Sequence, residues 1–446
     1  MSIPMTRDDA RNLIERAIGM SKAESVEVSV SANVTGNTRF AANQLTTSGI
    51  VEGSSFVVQS HFGPKHAVVV TDDLSEASIR RAVEQSERLA KLAPDDPEAM
   101  PPLPPQTYTP VDAFHESTAA TTPTDRARAA LTALEPARRA GNIVASGFIV
   151  TGANASAYGN KQGLFAYHPS TTSNYTLTVR TTDGTGSGWA AADDHDWAKL
   201  DYRAVSVRAI DKAQKSANAV SIEPGRYTVI LEPQAVGDLV QLLVFYIDAR
   251  SADEGRSPFV KAEGGNKIGE KIVDSRVTLF SDPADPQLGG QPFDGEGLPL
   301  ARQTWIEDGV LKQLYYSRFW AKKQGKTATG FPTTVKMLGG PTTTEEMIAS
   351  TPRGLLVTRL WYLREVDPRT ALYTGLTRDG VFLIEDGKIT RAVKNFRFNE
   401  SPLFMLNNIE ALGPAQRLAG TESGGDIVMP VIKARDFNFT SASDAV

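Results

Sequence analysis

The side chains best placed by type to bind a metal or move a proton near neutral pH are five histidines: His61, His66, His115, His168 and His195. Zinc hydrolases hold two histidines on one helix face beside a glutamate, and neither HExxH nor HExxxH occurs in this chain. His115-Glu116 begins such a motif, but Ser-Thr-Ala-Ala-Thr follows. His61 and His66 flank Phe-Gly-Pro, a loop between strands whose spacing suits a shared cation, although exposed turn histidines are the commoner outcome. His195 lies in AADDHDW, where a cation site competes with a solvated acidic turn.

The stretch SDPADPQLGGQPFDGEG carries Asp282, Asp285, Asp294 and Glu296. Paired carboxylates bind cations or act as acid and base, but the glycine and proline neighbours favour an ordinary ordered loop. The stretch GTESGGD, Gly420 to Asp426, resembles the glycine-flanked serine of serine proteases. That chemistry needs a histidine base oriented by an acid, and no histidine follows His195. A flexible turn before a strand at Ile427–Ile432 is the preferred reading. No phosphate-binding loop and no GxGxxG opening a βα unit is present. The chain has no cysteine, which removes disulfides, thiolate nucleophiles and cysteine-based metal sites together.

A chain of 446 residues predicts two or three domains. Hydrophobic content of 41% and charged content of 22% describe a globular protein. A net charge of −5 without a basic stripe argues against nucleic acid as a partner. The longest apolar stretch, Leu239 to Ile247, is interrupted by Gln241 and is too short to span a bilayer. The opening MSIPMTRDDARNLIERAIGM is charged where a signal peptide needs an apolar run, so the expectation is a soluble cytoplasmic protein without a membrane partner.

The elements that would position any chemistry follow from periodicity. Helices are expected at 6–19 behind Thr6, at about 74–92 behind Asp73, at about 123–140 and at about 199–218. Strands are expected at Val26–Val30, Ile50–Gln59, Ala67–Val70, Ile143–Thr151, Leu164–His168 and Tyr175–Thr181, with DGTGSGW as a turn. Seven prolines between Pro94 and Pro110 predict a linker. After Pro224-Gly225, RYTVILEP reads as a buried strand. It leads into a helix that is apolar on nearly every side and runs to the polar loop Gly255–Phe259. WIEDGVL (305–311) and LIEDGKI (383–389) each place Asp-Gly between apolar runs, the chemistry of a tight hairpin. The fold class expected is α+β. An α/β domain at 1–93 is joined by a linker at 94–116 to a central α/β domain at 117–224. A β-rich, barrel- or sandwich-like domain with a buried helix follows at 225–446.

The blocks GRSPFVKAEGGNKIGEKI (255–272), PFDGEGLPLARQTWIEDGVLKQLYYS (292–317), RFWAKKQGKTATGF (318–331), EEMIASTPRGLLVTRL (345–360) and LTRDGVFLIEDGKITRAVKNFRFNESPLFMLNNIEALG (376–413), with NTRFAANQLTTSGIVEG near the start, give the chain a resemblance to the TldD/PmbA family. Within that family it resembles the PmbA (TldE) branch. The resemblance covers almost the whole chain and implies a heterodimeric zinc metalloprotease acting on unfolded peptides, gripped as added strands. The family's older label is modulator of DNA gyrase. Zinc is expected in a TldD-type partner, on HExxxH and a later cysteine.

Counting back from Gly255 without gaps puts Val240, Gln241 and Phe245 at the HExxxH positions, and Ala419 near the cysteine position. None suits zinc, so the resemblance implies a non-catalytic subunit with no cofactor of its own, in which Val240 and Phe245 fill the space of the ligands. Arg256, Ser257 and Phe259 are the peptide-binding candidates by position. The alternatives are a homodimeric peptide-binding scaffold and a hydrolase built on another site.

Overall fold

The computed structural model describes residues 3–420 and 422–443. Thr6 caps α1 (Arg7–Met20) and exchanges hydrogen bonds with Asp9, and the helix buries Ala10, Leu13, Ile14 and Ala17. Strands β1 (Ser25–Ala41), β2 (Gln44–Phe62) and β3 (Lys65–Thr71) follow as two hairpins. Helix α2 (Glu76–Leu92) starts behind Ser75 rather than Asp73, because the Asp73 carboxylate is occupied by Ser75 N–H and Ser78 Oγ. After α3 (Glu116–Ala119) and α4 (Pro123–Ala140) come β4 (Ile143–Asn160), β5 (Phe165–Thr181), β6 (Ser187–Asp194) and α5 (Tyr202–Lys215).

These strands form one sheet in the order β3-β2-β1-β4-β5-β6. β1 pairs with β4 from Glu27 through Phe40, so the segments on either side of the proline-rich stretch share a sheet. The two short strands expected at 164–168 and 175–181 are one long strand. The glycine-rich stretch read as a turn contains the start of β6. A Cβ on Gly186 or Gly188 would lie 2.2 Å from the carbonyl of Ala213 or Ala209, so these glycines admit the backbone of α5. Residues 94–115 contain no helix or strand, yet they are tied down: Asn160 donates to Leu103 O, and Tyr108 donates to Gly297 O.

The remaining chain contains β7 (Gly225–Leu231), α6 (Pro233–Val240), a 3-10 turn (Gln241–Phe245) and α7 (Ala249–Asp253). Then come β8 (Leu279–Ser281), β9 (Gln303–Glu307), β10 (Val310–Leu311), α8 (Arg318–Gln324), β11 (Val335–Met337) and α9 (Thr344–Ala349). The last elements are β12 (Arg353–Asp367), β13 (Leu372–Glu385), β14 (Lys388–Ala392), β15 (Phe396–Glu400), α10 (Pro402–Asn407), β16 (Ile409–Leu418) and β17 (Gly425–Ala442). Pairing runs β7–β12–β13–β15–β17 and returns from β17 to β7, which closes a barrel. β11 continues from β17 into the small β8–β9–β10 extension. Both Asp-Gly turns adopt the expected left-handed pair: φ is 50° and 78° at Asp308-Gly309, and 48° and 74° at Asp386-Gly387.

Helix α6 packs between β12 and β17 with every residue from Gln234 to Val240 buried. It is shorter than its apolar pattern predicts. Ile247 and Ala249 exchange backbone hydrogen bonds with Tyr315, so the chain must leave the helix and tightens through the 3-10 turn. Among the described residues, no helix is long and apolar enough to cross a membrane.

Candidate functional site

Gln234, Gly237, Asp238 and Gln241 share one face of α6 by helical spacing. The loop after β16 lies on that face. Ser423 Oγ donates to Asp238 Oδ1 at 2.8 Å, and Gln234 Nε2 donates to the same oxygen at 2.8 Å and to Ser423 O at 2.9 Å. Gln241 Nε2 donates to Glu422 O at 2.5 Å. A Cβ on Gly237 would lie 2.0 Å from Leu418 Cδ1, so only glycine lets the loop seat. Leu360 N–H completes the cluster by donating to Asp238 Oδ2 at 3.0 Å. Burial pushes the Asp238 carboxyl up to about 7, against these hydrogen bonds, which favour the anion. The loop expected as a flexible turn is therefore a pinned lid. Ser423 is buried against an acid with no histidine beside it, so it lacks the base a serine nucleophile requires.

The lid carries Ala419, so the topology brings the expected cysteine position to the helix. The side chains found there do not fit zinc. Val240 is 0% exposed and Ala419 is buried, both without a donor atom. The Gln241 amide is engaged by the lid carbonyl. Phe245 does not fill the ligand space, contrary to expectation: it is 67% exposed, because the 3-10 turn rotates it away from the buried face.

The peptide-binding candidates are corrected in part. Phe259 is fully buried in the barrel core, and Ser257 is buried with its hydroxyl donating to Tyr246 O at 3.0 Å. Only Arg256 reaches solvent, where it pairs with Glu254 at 2.5 Å. Gly255, with φ of 79°, turns the chain, and the three residues after Arg256 are all buried.

The histidines are structural in their surroundings. His195 is buried rather than in a solvated turn. Its Nδ1 lies 2.5 Å from Thr171 O, and its Nε2 lies 2.9 Å from Leu288 O and 3.2 Å from Asp426. Burial alone would lower its pKa, but the Asp426 contact and the Thr171 carbonyl raise it. Arg417 binds both Asp193 and Asp426 at 2.7 Å, so this cluster pins the first sheet to the barrel. Burial lowers His168 to about 4. His61 Nε2 bonds Glu27 at 2.9 Å, and Glu27 accepts from Tyr158 at 2.5 Å. His66 lies 5.6 Å from His61, ring to ring, with its Nδ1 3.8 Å from Asp96. In the acidic loop, Asp285 pairs with Lys336 at 2.7 Å and Glu296 with Arg318 at 2.8 Å. Asp282 lies 3.9 Å from Arg302, and Asp294 accepts loop N–H groups from Glu296 and Leu298. Among the described residues, no three histidine or acidic side chains are grouped to hold a metal ion.

The Asp238 cluster was missed by sequence reasoning, although an acid four residues after Gln234 in an otherwise apolar helix was its visible signal.

A barrel closed around a lidded helix and joined to one long antiparallel sheet is the architecture of a known class of metallopeptidase-like proteins. The Thermococcus kodakarensis TldE structure superposes with a TM-score of 0.84 at 19% identity, covering 96% of this chain and 99% of that one. A Thermotoga maritima protein, solved as a candidate modulator of DNA gyrase, superposes with a TM-score of 0.85 at 17% identity, covering 96% and 100%. Residues 117–217 match the PmbA/TldA metallopeptidase central domain, and residues 224–441 its C-terminal domain. The chain belongs to the PmbA/TldD family. It is 23% identical over 443 residues to the metalloprotease PmbA of Escherichia coli O157:H7, covering 94% of each. Archaeal alignments are shorter. An uncharacterized Methanocaldococcus jannaschii protein is 34% identical over 132 residues, of which the chain spans 30% of that protein's length. A Methanothermobacter thermautotrophicus metalloprotease is 28% identical over 236 residues, 49% of its length.

Proposed function

We propose that this chain is the non-catalytic, TldE/PmbA-type subunit of a zinc metalloprotease acting on unfolded peptides, with zinc held by a TldD-type HExxxH partner in a heterodimer. The observation that carries this reading is the chemistry of α6 and its lid. At the positions that the resemblance matches to the ligands and base, Val240, Gln241, Phe245 and Ala419 offer neither metal ligands nor a carboxylate base. The exposed Phe245 supports the association, since a large apolar side chain is favoured where a partner covers it. In the complex this subunit encloses the cavity and contributes peptide contacts.

The test is co-expression with an HExxxH-bearing relative from the same genome. The two chains should co-purify, and the pair, but neither this chain alone nor a pair with a disabled partner glutamate, should cleave an unfolded peptide. Cleavage by this chain alone, or no association with any such relative, sinks the proposal.

A graft tests the site itself. The variant carrying V240H, Q241E, F245H and A419C should hold far less than one zinc per chain after dialysis, measured by elemental analysis on folded protein. The reason is that position 245 faces solvent while position 240 is buried. One tightly held zinc per chain would show that the ligand geometry survives and that only side-chain identity was lost.

A further inference from the structure

Between the first sheet and the barrel lies a cavity of about 470 Å³, in the range that holds a peptide side chain and its neighbours rather than a folded domain. Phe40 and Gly147 line it from the sheet; a Cβ on Gly147 would lie 2.5 Å from Phe40 Cζ, so the glycine admits the ring. Phe148, Trp189 and Trp361 add aromatic walls, with Phe148 39% exposed. Arg39, Arg359 and Arg378 also line it. Arg359 lies 4.9 Å from the Trp189 ring centroid and 5.4 Å from that of Trp361, and Arg378 lies 4.7 Å from that of Trp361.

The cations are not equally compensated. Asp379 binds Arg359 at 2.7 Å and accepts from Ser187 Oγ at 2.7 Å. Arg378 reaches the same carboxylate only at 3.8 Å, and Arg39 makes no ion pair among the described residues. Arg359 and Arg378 thus share one carboxylate while stacked on aromatic faces, and Arg39 adds a further cation. A guanidinium stacked on an indole keeps its in-plane N–H groups free, and that fork matches a carboxylate. A nucleic acid would need a basic track along the surface, whereas the three arginines here line one pocket.

We propose that this cavity is a carboxylate-anchoring subsite for an extended peptide, with Arg39 and Arg378 holding the carboxylate and the aromatic walls receiving the adjacent apolar atoms. The proposal rests on the reading that the chain binds peptide, but not on a zinc-bearing partner.

The test uses the full-length chain and fluorescently labelled short peptides followed by anisotropy. One peptide carries an internal glutamate and an amidated C-terminus, one is neutral with a free C-terminal carboxylate, and one is neutral and amidated. At least one carboxylate peptide should bind about tenfold or more tighter than the neutral amidated one, and which one does identifies the source of the carboxylate. The R39Q and R378Q variants should each lose most of that difference, with melting temperature unchanged. R128Q, which breaks an exposed pair with Asp125, should keep it. Equal binding of all three peptides, or unchanged preference in both cavity variants, overturns the subsite. Tighter binding of a single-stranded oligonucleotide also overturns it. Acidic-peptide binding without co-purification of an HExxxH partner would leave this inference standing while the subunit reading falls. Association without any peptide binding would do the reverse.

Discussion

Asp379→Ala is expected to lower the unfolding free energy by about 3–5 kcal/mol, because it strands a buried guanidinium. Asp379 is 1% exposed and Arg359 is 7% exposed; their side chains meet at 2.7 Å and 2.9 Å. Removing Asp379 takes away the close counter-ion of a guanidinium that is little exposed. Ser187 of β6 also donates to this carboxylate, so the substitution loosens the junction of sheet and barrel as well as the pair. The backbone at Asp379 has φ of 56°, a region that asparagine adopts more readily than alanine. Asp379→Asn therefore separates the charge from the backbone, and should show most of the loss. Replacing both partners, as in R359M/D379N, should recover much of it, since an uncharged pair leaves no buried charge uncompensated. Urea unfolding measures all three variants. A loss below about 1 kcal/mol for Asp379→Asn would mean that water reaches Arg359 in the folded state.

Asp238→Asn should abolish a pH dependence that runs opposite to ordinary acid denaturation. The Asp238 carboxyl sits at about 7 in the folded chain against an ordinary 3.8. Between those values the folded state holds a proton that the unfolded state has released. Stability from this group is therefore fully present below about 4, falls by about 1.4 kcal/mol per pH unit as pH rises, and is flat above about 7. The asparagine carries no charge to desolvate. Its oxygen can accept from Leu360 N–H, and its amide can donate to Ser423 Oγ, whose hydroxyl turns, while Gln234 Nε2 loses this acceptor and keeps Ser423 O. The stability of the variant relative to the parent should thus rise by on the order of 4 kcal/mol from about pH 4 to about pH 8. Glu400, which burial also raises to about 7, contributes the same slope to both proteins and cancels in the difference. Parallel urea-midpoint profiles across this range would show that Asp238 is ionised throughout.

Much of the local structure was legible in the residues. The Thr6–Asp9 cap, the alternation from Val26 and both Asp-Gly hairpins are decided by neighbours a few positions apart, and each forms as read. The family resemblance, carried by blocks across the chain, led to the fold class. What stayed hidden depends on distant pairing. The continuity of the first sheet rests on Glu27 lying opposite Asn160, which no local pattern encodes. His195 stands in a run of acids and looked solvated, but its neighbours in space are Thr171, Leu288 and Asp426. The glycines of residues 420–424 suggested freedom, whereas Gly420 and Gly424 sit in tight contacts beneath a pinned loop. At the candidate site, the absence of ligands at Val240 and Ala419 was plain from side-chain type. The inward turn of Ser257 and the outward turn of Phe245 were not, because both follow from where the helix is forced to end.

The way the barrel closes also sets the order in which it can be built. β7 at 225–231 finds its parallel neighbour only at 354–357 and its antiparallel neighbour only at 432–439. During synthesis, α6 and its apolar faces therefore emerge long before the strands that cover them. Pairings this far apart in sequence form slowly and leave unpaired edges exposed while they wait. The earlier sheet is less exposed to this hazard, since its hairpins join adjacent strands and only the β1–β4 seam is distant. The nascent chain is thus most vulnerable to aggregation between the emergence of α6 and the arrival of β17, the window in which a chaperone would be needed.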